Sequence, residues 1–205
     1  MKQGFVKVAS ATPRIRVADP VYNAQVICEQ AKEAAEHGAK IVVFPELCIT
    51  GYTCNDLFLQ ELLLEKAKEA LLTIAEETGQ LETLFLVGLP VDKDGRLYNV
   101  AAVLYRGRIL GMIPKKNIPM YAEFYEGRHF TPGEETVTEY RLGKQVIPFG
   151  SNLLFRCEEL PELILGCELC EDLWVAEPPS TSHALMGATV LSLIHISEPT
   201  RLLSI

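Results

Sequence analysis

Apolar and polar positions follow two different periods along the chain and predict a mixed α/β fold. Apolar residues recur at helical spacing between residues 19 and 40, where Asp19 can cap a helix, Pro20 suits its first position and Gly38 follows its end. A second helix is predicted over 56–79. Apolar runs predict strands at 4–13, 40–46, 84–91, 97–107 and 108–115, then, after a polar loop, at 145–150, 152–157 and 162–169, with a short helix at 181–188. This order of strands, helices and hairpins is typical of layered helices and sheets.

Composition narrows the class of protein. The chain has 205 residues, 48% hydrophobic and 22% charged, which suits one sizeable globular domain. Its formal net charge of -8 argues against a nucleic-acid partner. The sequence has no secretory signal and no apolar run of about 18 residues, so we expect no membrane partner and a cytoplasmic location. In that compartment the six cysteines are expected to be thiols.

The last fifteen residues do not continue the pattern. "LSLIHISEPTR", residues 191–201, resembles the translation of a transposase adapter used to build DNA libraries. We therefore expect one truncated domain over 1–190 and an adapter artefact over 191–205. His195 and Glu198 are accordingly not candidates for a functional site.

Two polar side chains follow very apolar runs. Glu46 comes directly after "KIVVFP", and a carboxylate in apolar surroundings has a raised pKa and can act as a general base near neutral pH. A salt-bridged glutamate at a strand end would give the same pattern. Lys115 follows "RILGMIP", and its ammonium could stabilise a developing oxyanion, although a solvated lysine is the alternative.

The stretch "LILGCELCEDLW", residues 163–174, holds two cysteines three positions apart. A thiolate needs a partly polar site with a base or cation nearby. Cys170, at the start of the polar "CED", meets that condition, whereas Cys167 lies inside the apolar run. The residues alone leave open a redox pair, half of a metal site, two structural thiols or a nucleophile, although no second CxxC or suitably spaced His pair supports zinc.

Three separated motifs, "FPELCITGY", "PKKNIPMY" and "CELCEDLW", carry a resemblance to the nitrilase, or carbon–nitrogen hydrolase, superfamily. They contain Glu46, Lys115 and Cys170 in that order, and the resemblance extends over residues 4–190. Within the superfamily, "ITGYTCNDLF", "PKKNIPMYAEFYEGRHFTPG" and "CEDLWVAEPPS" are similar to the N-terminal glutaminase domains of glutamine-dependent NAD synthetases. The resemblance implies an αββα sandwich, which we expect to be incomplete at its C-terminus.

The resemblance also implies a catalytic triad that hydrolyses the side-chain amide of glutamine through a thioester. Cys170 would be the nucleophile, Glu46 the base that takes and returns a proton, and Lys115 the group that stabilises the tetrahedral oxyanion. This chemistry needs no metal ion.

Further site residues follow from the same resemblance. Tyr121 and Phe124 match positions that line the glutamine pocket, and Glu171 matches a residue expected to hold the α-amino group of the substrate. Glu123 is a possible second carboxylate near the lysine. Cys167 matches no catalytic position and is expected in the core.

The implied parent protein has further components. Its glutaminase domain needs no cofactor, whereas a C-terminal synthetase domain would use ATP and Mg to amidate deamido-NAD with the released ammonia. The parent is expected to be a homo-oligomer, and the fragment alone is expected to be poorly soluble and largely inactive. Two alternative functions remain. One is a stand-alone amidase acting on an ω-amide or carbamoyl substrate, and the other is a redox sensor in which Cys167 and Cys170 form a reversible disulfide.

Overall fold

The computed structural model describes residues 4–195, which form three α-helices, three 3₁₀ segments and ten strands. The strands are β1 (Val8–Ser10), β2 (Ile41–Val43), β3 (Leu84–Lys93), β4 (Arg96–Tyr105), β5 (Arg108–Pro114), β6 (Thr138–Leu142), β7 (Gln145–Phe149), β8 (Phe155–Arg156), β9 (Ile164–Leu169) and β10 (Val190–Ile194). The α-helices are α1 (Pro20–Glu36), α2 (Glu61–Glu77) and α3 (Pro179–Leu185). The 3₁₀ segments are Tyr52–Leu59, Glu126–Arg128 and Cys170–Trp174.

The strands form two sheets. The large sheet has the order β1-β2-β3-β4-β5-β7-β6, and the small sheet has the order β10-β9-β8. In the large sheet β1, β2 and β3 are parallel, and β3, β4 and β5 form two antiparallel hairpins. Arg106 and Gly107 join the second hairpin with φ angles of 47° and 76°, as a tight two-residue turn requires. Because β2 and β5 therefore run in the same direction, their carboxyl ends lie at the same edge.

The side chains of the central strands alternate between two hydrophobic layers. Val100, Ala102 and Leu104 of β4 pack with α1 and α2, whereas Ala101 and Val103 pack with β9 and β10. The small sheet therefore covers the face of the large sheet opposite α1 and α2.

The short helix α3 covers the other face of the small sheet. Leu165 and Cys167 of β9 point to the large sheet, and Gly166 between them faces the ring of His183 on α3. The layers are thus helix, sheet, sheet and helix, which confirms the expected α/β fold and the αββα order.

Two predicted elements differ from the structure for local reasons. The helix predicted over 56–79 starts only at Glu61, because Gln60 has an extended backbone with φ −91° and ψ 121°, which no α-helix accommodates, and a 3₁₀ segment precedes it. Strand β6 lies where only a polar loop was expected. Its buried positions, Tyr140 and Leu142, alternate with exposed polar residues, so the signal was present but short.

The segment assigned to an adapter artefact supplies most of β10. Leu191 to Ile194 pair in parallel with β9, and Ile194 is buried between the sheets. An apolar run of any origin can pair with the edge of β9, so the boundary at residue 190 stays a prediction. Residues 196–205 of that segment, Glu198 included, lie outside the described residues.

None of the described helices combines the length and apolar character that a bilayer crossing requires.

Candidate active site

The two sheets bring Glu46, Lys115 and Cys170 together at one end of the sandwich. Glu46 lies three residues after β2, Lys115 directly after β5 and Cys170 directly after β9. The Lys115 ammonium is 2.8 Å from Oε1 of Glu46. The Cys170 sulfur lies within 4.8 Å of a Glu46 carboxylate oxygen. A carboxylate, an ammonium and a thiol that are distant in sequence therefore share one site.

Glu46 is a buried carboxylate with one oxygen bound and one unbound. Oε1 accepts from Lys115 and, at 2.5 Å, from the side-chain amide of Asn99. Oε2 is buried and has no hydrogen-bond partner among the described residues. Burial raises the pKa of Glu46 to about 7, against the opposing charge of Lys115 and with a further upward contribution from Glu126. The group can therefore take up a proton near neutral pH.

Lys115 lies at the centre of a buried network of charged side chains. Its ammonium donates to Glu46 and also to Oε1 and Oε2 of Glu126, at 2.7 and 2.9 Å. Tyr52 donates its hydroxyl to Glu126 at 2.8 Å. Burial lowers the pKa of Lys115, but the charges of Glu46 and Glu126 outweigh that effect and hold the pKa above its ordinary value. The ammonium is thus a fixed positive charge shared by two carboxylates.

Cys170 is held in a strained backbone conformation. Its φ of 45° lies in the left-handed region, which residues other than glycine adopt only when the surrounding structure enforces it. Burial raises the pKa of the Cys170 thiol to about 12, and the charge of Glu46 raises it further, whereas Lys115 lowers it. The thiol is therefore neutral at pH 7 and needs a base to become a nucleophile.

The residues expected to line the substrate pocket lie at the exposed side of this site. Tyr121 donates its hydroxyl to Glu171 at 2.7 Å, and the rings of Tyr121 and Phe124 meet edge to face at 5.8 Å. Because Glu171 follows Cys170 directly, this group stands next to the thiol along the chain.

The carboxylate that binds Lys115 besides Glu46 is Glu126, whereas Glu123, expected to lie near the lysine, has an exposed side chain. The sequence did not single out Glu126, because both glutamates lie in the polar stretch between β5 and β6, which shows no helical or strand periodicity. Asn99 was also missed, although a signal existed: it is the polar residue inside the apolar run of β4 and is fully buried. Cys167 lies in the core between the sheets, as expected.

Within residues 4–195, one group of three side chains could hold a metal ion. Ligand atoms of Glu46, Cys170 and His195 lie within 4.8 Å of one another, and thiolate, imidazole and carboxylate are zinc-type ligands. The backbone amide of Glu46 also donates to the carbonyl of His195 at 3.0 Å. However, Lys115 already binds the same carboxylate, and His195 belongs to the segment expected to be an adapter artefact, so we assign no metal here.

Gly88 of β3 supports the loop that carries Glu46. A Cβ at Gly88 would lie 2.4 Å from the Leu47 nitrogen and 2.5 Å from the Pro45 oxygen, which are backbone atoms that cannot move aside. We expect Gly88→Ala to lower the free energy of unfolding by about 3 kcal/mol, at the upper end of over-packing costs, and to slow the reaction of Cys170.

Gly111→Ala is the matched control for that substitution. The atoms nearest to a Cβ there would be side-chain atoms of Phe155 and Leu153, at 2.9 and 3.0 Å, which can rotate. Chemical denaturation measures the free energy of unfolding of both variants, and thiol alkylation measures the reactivity of Cys170 in each. Equal effects of the two alanines would contradict a specific role for Gly88.

The fold and the site define a class of protein. Residues 7–203 match the family model described as carbon–nitrogen hydrolase. The chain belongs to this family, which confirms the resemblance that its motifs carry, and it is a carbon–nitrogen hydrolase domain.

Particular relatives narrow the comparison. The chain is 41% identical over 191 residues to the glutamine-dependent NAD(+) synthetase of Mycobacterium tuberculosis, covering 93% of this chain and 28% of that protein. It is also similar to the crystal structure of a glutamine-dependent NAD(+) synthetase from Cytophaga hutchinsonii, with a TM-score of 0.82, 28% identity and coverage of 94% of this chain and 30% of that chain.

An amidase from Nesterenkonia sp. shares the fold, with a TM-score of 0.70, 22% identity and coverage of 95% of this chain and 66% of that one. The chain thus spans less than a third of the length of the two synthetases that it matches.

Proposed function

We propose that this chain is the glutamine-hydrolysing domain of a glutamine-dependent NAD synthetase. The observation that carries the proposal is the buried contact of Glu46 with Lys115, with the Cys170 thiol beside the same carboxylate. The 41% identity to a protein named for that activity supports glutamine as the substrate.

The reaction begins with the thiol and the buried base. The Cys170 sulfur attacks the carbon of the side-chain amide, and the thiol proton passes to Glu46. The amide oxygen becomes an oxyanion beside the Lys115 ammonium, whose charge is already in place and needs no reorganisation. Glu46 then gives its proton to the leaving nitrogen, the C–N bond breaks and ammonia departs.

Hydrolysis of the thioester uses the same groups. Glu46 takes a proton from a water molecule, whose oxygen attacks the thioester carbon. The C–S bond breaks, the sulfur regains its proton through Glu46, and glutamate leaves. Glu126 supports both halves because its charge raises the pKa of Glu46 and its bonds hold Lys115.

The side chains of Glu171, Tyr121 and Phe124 suit the binding of an amino acid. Glu171 offers a negative charge to the α-amino group of glutamine, and the rings of Tyr121 and Phe124 offer apolar surface to its methylenes. The contact between Tyr121 and Glu171 supports their action as one group.

The wider proposal concerns the parent protein. The released ammonia serves a synthetase domain outside this sequence, which uses ATP and Mg to convert deamido-NAD to NAD. We further propose that the parent is a cytoplasmic homo-oligomer. The similarity to synthetases over less than a third of their length supports a domain of this kind.

The redox-sensor alternative receives no support from the environment of Cys167. This thiol lies in the core between the sheets, and burial raises its pKa above the ordinary value. A reversible disulfide requires an accessible thiolate.

The test is covalent labelling of the full-length parent protein with a glutamine analogue that carries a diazoketone in place of the side-chain amide. We expect a single adduct on Cys170 by mass spectrometry, suppressed by L-glutamine but not by L-asparagine, which is one methylene shorter. The partly exposed thiol of Cys157 serves as the internal control. Suppression by simple aliphatic amides and not by glutamine would favour the stand-alone amidase and contradict the proposal.

A further inference from the structure

Cys170 and Lys115 stand at the ends of strands in different sheets. Lys115 follows β5 of the large sheet, and Cys170 follows β9 of the small sheet. In the part of the chain that the structure describes, no backbone ladder joins the two sheets, and apolar side chains fill the space between them. Apolar packing is non-directional, so it does not by itself fix a thiol against an ammonium.

Asp172 bridges the two strand ends with one carboxylate. Its Oδ1 accepts from the backbone amide of Asn117 at 2.7 Å, from the Asn117 side chain at 3.0 Å and from the Lys116 amide at 3.1 Å. Its Oδ2 accepts from the Leu169 amide at 3.1 Å, just before Cys170. One oxygen thus binds the two residues after Lys115, and the other binds the residue before the thiol.

A carboxylate is suited to this position, because it only accepts hydrogen bonds and the four nitrogen groups of Lys116, Asn117 and Leu169 around it all donate. Asp172 is 1% exposed. Burial raises its pKa, and the hydrogen bonds from Asn117, Leu169 and Lys116 act in the opposite direction. An amide in the same place would turn an N–H group towards at least one of these donors.

We propose that Asp172 is a positioning residue that holds the strained Cys170 turn against the Lys115 end of β5. The inference rests on the proposed function, because it gives Cys170 and Lys115 the roles assigned above. Asp172 touches neither reacting atom and acts through the backbone on both sides.

The alternative is that Asp172 only stabilises the fold and does not affect the reactivity of Cys170. Glu168 separates the two roles, because it is a second buried carboxylate, on β9 just before the Cys170 turn, 3% exposed, and it accepts from the amide of Ser180 near the start of α3. Glu168→Gln removes a buried charge from β9 without touching the link to Lys115.

The experiment measures alkylation of individual cysteines by iodoacetamide in the full-length parent protein between pH 5 and pH 10, using mass spectrometry. In Asp172→Asn we expect Cys170 to react at least about tenfold more slowly at pH 7. We also expect its pH profile to move from neutral pH towards the alkaline range of an unassisted thiol, because the sulfur no longer sits beside Glu46. Glu168→Gln is expected to keep the rate within about twofold. The buried Cys167 reports unfolding, because it reacts only when the core opens.

The possible outcomes distinguish the nucleophile role of Cys170 from the positioning role of Asp172. If Cys170 is unreactive in the unmodified parent protein, the nucleophile assignment fails and the inference fails with it. If Cys170 is reactive and Asp172→Asn leaves its rate and pH profile unchanged, or if Glu168→Gln slows it equally, only the positioning role is overturned. If Asp172→Asn exposes Cys167, the milder Asn117→Ala, which removes one donor to Asp172, decides in the same way: a slowed and alkaline-shifted Cys170 supports the role, and an unchanged one overturns it.

Discussion

Glu46→Gln is expected to slow the alkylation of Cys170 at pH 7.5 by at least about a hundredfold, the usual contribution of a positioned general base. The amide keeps the volume of the side chain but cannot take a proton. Since burial raises the pKa of Cys170 to about 12, very little thiolate exists at neutral pH without that base. The loss should therefore appear in the rate of reaction even where no substrate is bound.

The pH dependence of the Cys170 alkylation rate tests the same role of Glu46, because the direction of the change with pH is defined. Glu46 acts as a base only when ionised, and its pKa is raised to about 7. In the unmodified chain, the rate should therefore rise as pH increases through about 7 and then level off. In Glu46→Gln that rise should vanish, leaving only an increase at alkaline pH that reflects the thiol itself.

Glu168→Gln is the control, because it makes the same chemical change at another buried carboxylate. Circular dichroism and the protection of Cys167 confirm that each variant is folded. A rate that rises around pH 7 in Glu46→Gln as in the unmodified chain would show that another group is the base.

The predicted part of the site follows one rule. Glu46, Lys115 and Cys170 each come after an apolar run, and strands that end at one edge bring such residues together. Here the second sheet adds the thiol from the opposite layer. The pattern alone could not pair two separate sheets, so the joint site depended on the family resemblance.

The missed residues are those whose position depends on irregular backbone. Glu126 binds Lys115 from the first position of a short 3₁₀ segment between β5 and β6, where neither spacing nor hydropathy separates it from Glu123. Asp172 acts through hydrogen bonds to the backbone of a segment more than fifty residues away, which leaves no trace in a local pattern. Asn99, in contrast, was detectable as a buried amide inside an apolar strand, because such a group needs partners.

The fold shows the same limit. Periodicity identified α1 and the β4–β5 hairpin, but it gave no sign of the 3₁₀ segment Tyr52–Leu59, whose backbone bends at Asn55. That segment places Tyr52 against Glu126, so a local irregularity contributes directly to the charge network.

Lys115→Met is expected to produce the largest loss of stability. Methionine has a similar length but no charge, so Glu46 and Glu126 would remain as two buried carboxylates without their cation. Breaking a buried ion pair by removing one partner typically costs about 3–5 kcal/mol of unfolding free energy. We expect a loss of that size at pH 8, measured by chemical denaturation.

The loss should depend on pH in a definite direction. Carboxylates whose folded pKa is raised above the unfolded value bind more protons when folded, so stability falls as pH rises from the unfolded pKa through the folded one. Without Lys115 this range lies higher than in the unmodified chain, since the ammonium lowers the pKa of Glu46. The deficit of Lys115→Met should therefore be larger at pH 8 than at pH 5. Lys115 itself stays charged over this range in the unmodified chain, because its raised pKa lies well above it.

Two further variants separate charge balance from catalysis. Lys115→Met combined with Glu126→Gln removes one of the two buried carboxylate charges that lack a cation, and it should recover at least half of the lost stability at pH 8. Turnover and labelling should remain slow in this double variant, because no cation faces the oxyanion. Lys32→Met removes the cation of an exposed pair with Glu77 and should change stability little, since water screens that pair. A deficit that is equal at pH 5 and pH 8, or that the second substitution does not reduce, would show that Lys115 supports the fold by packing and not by charge.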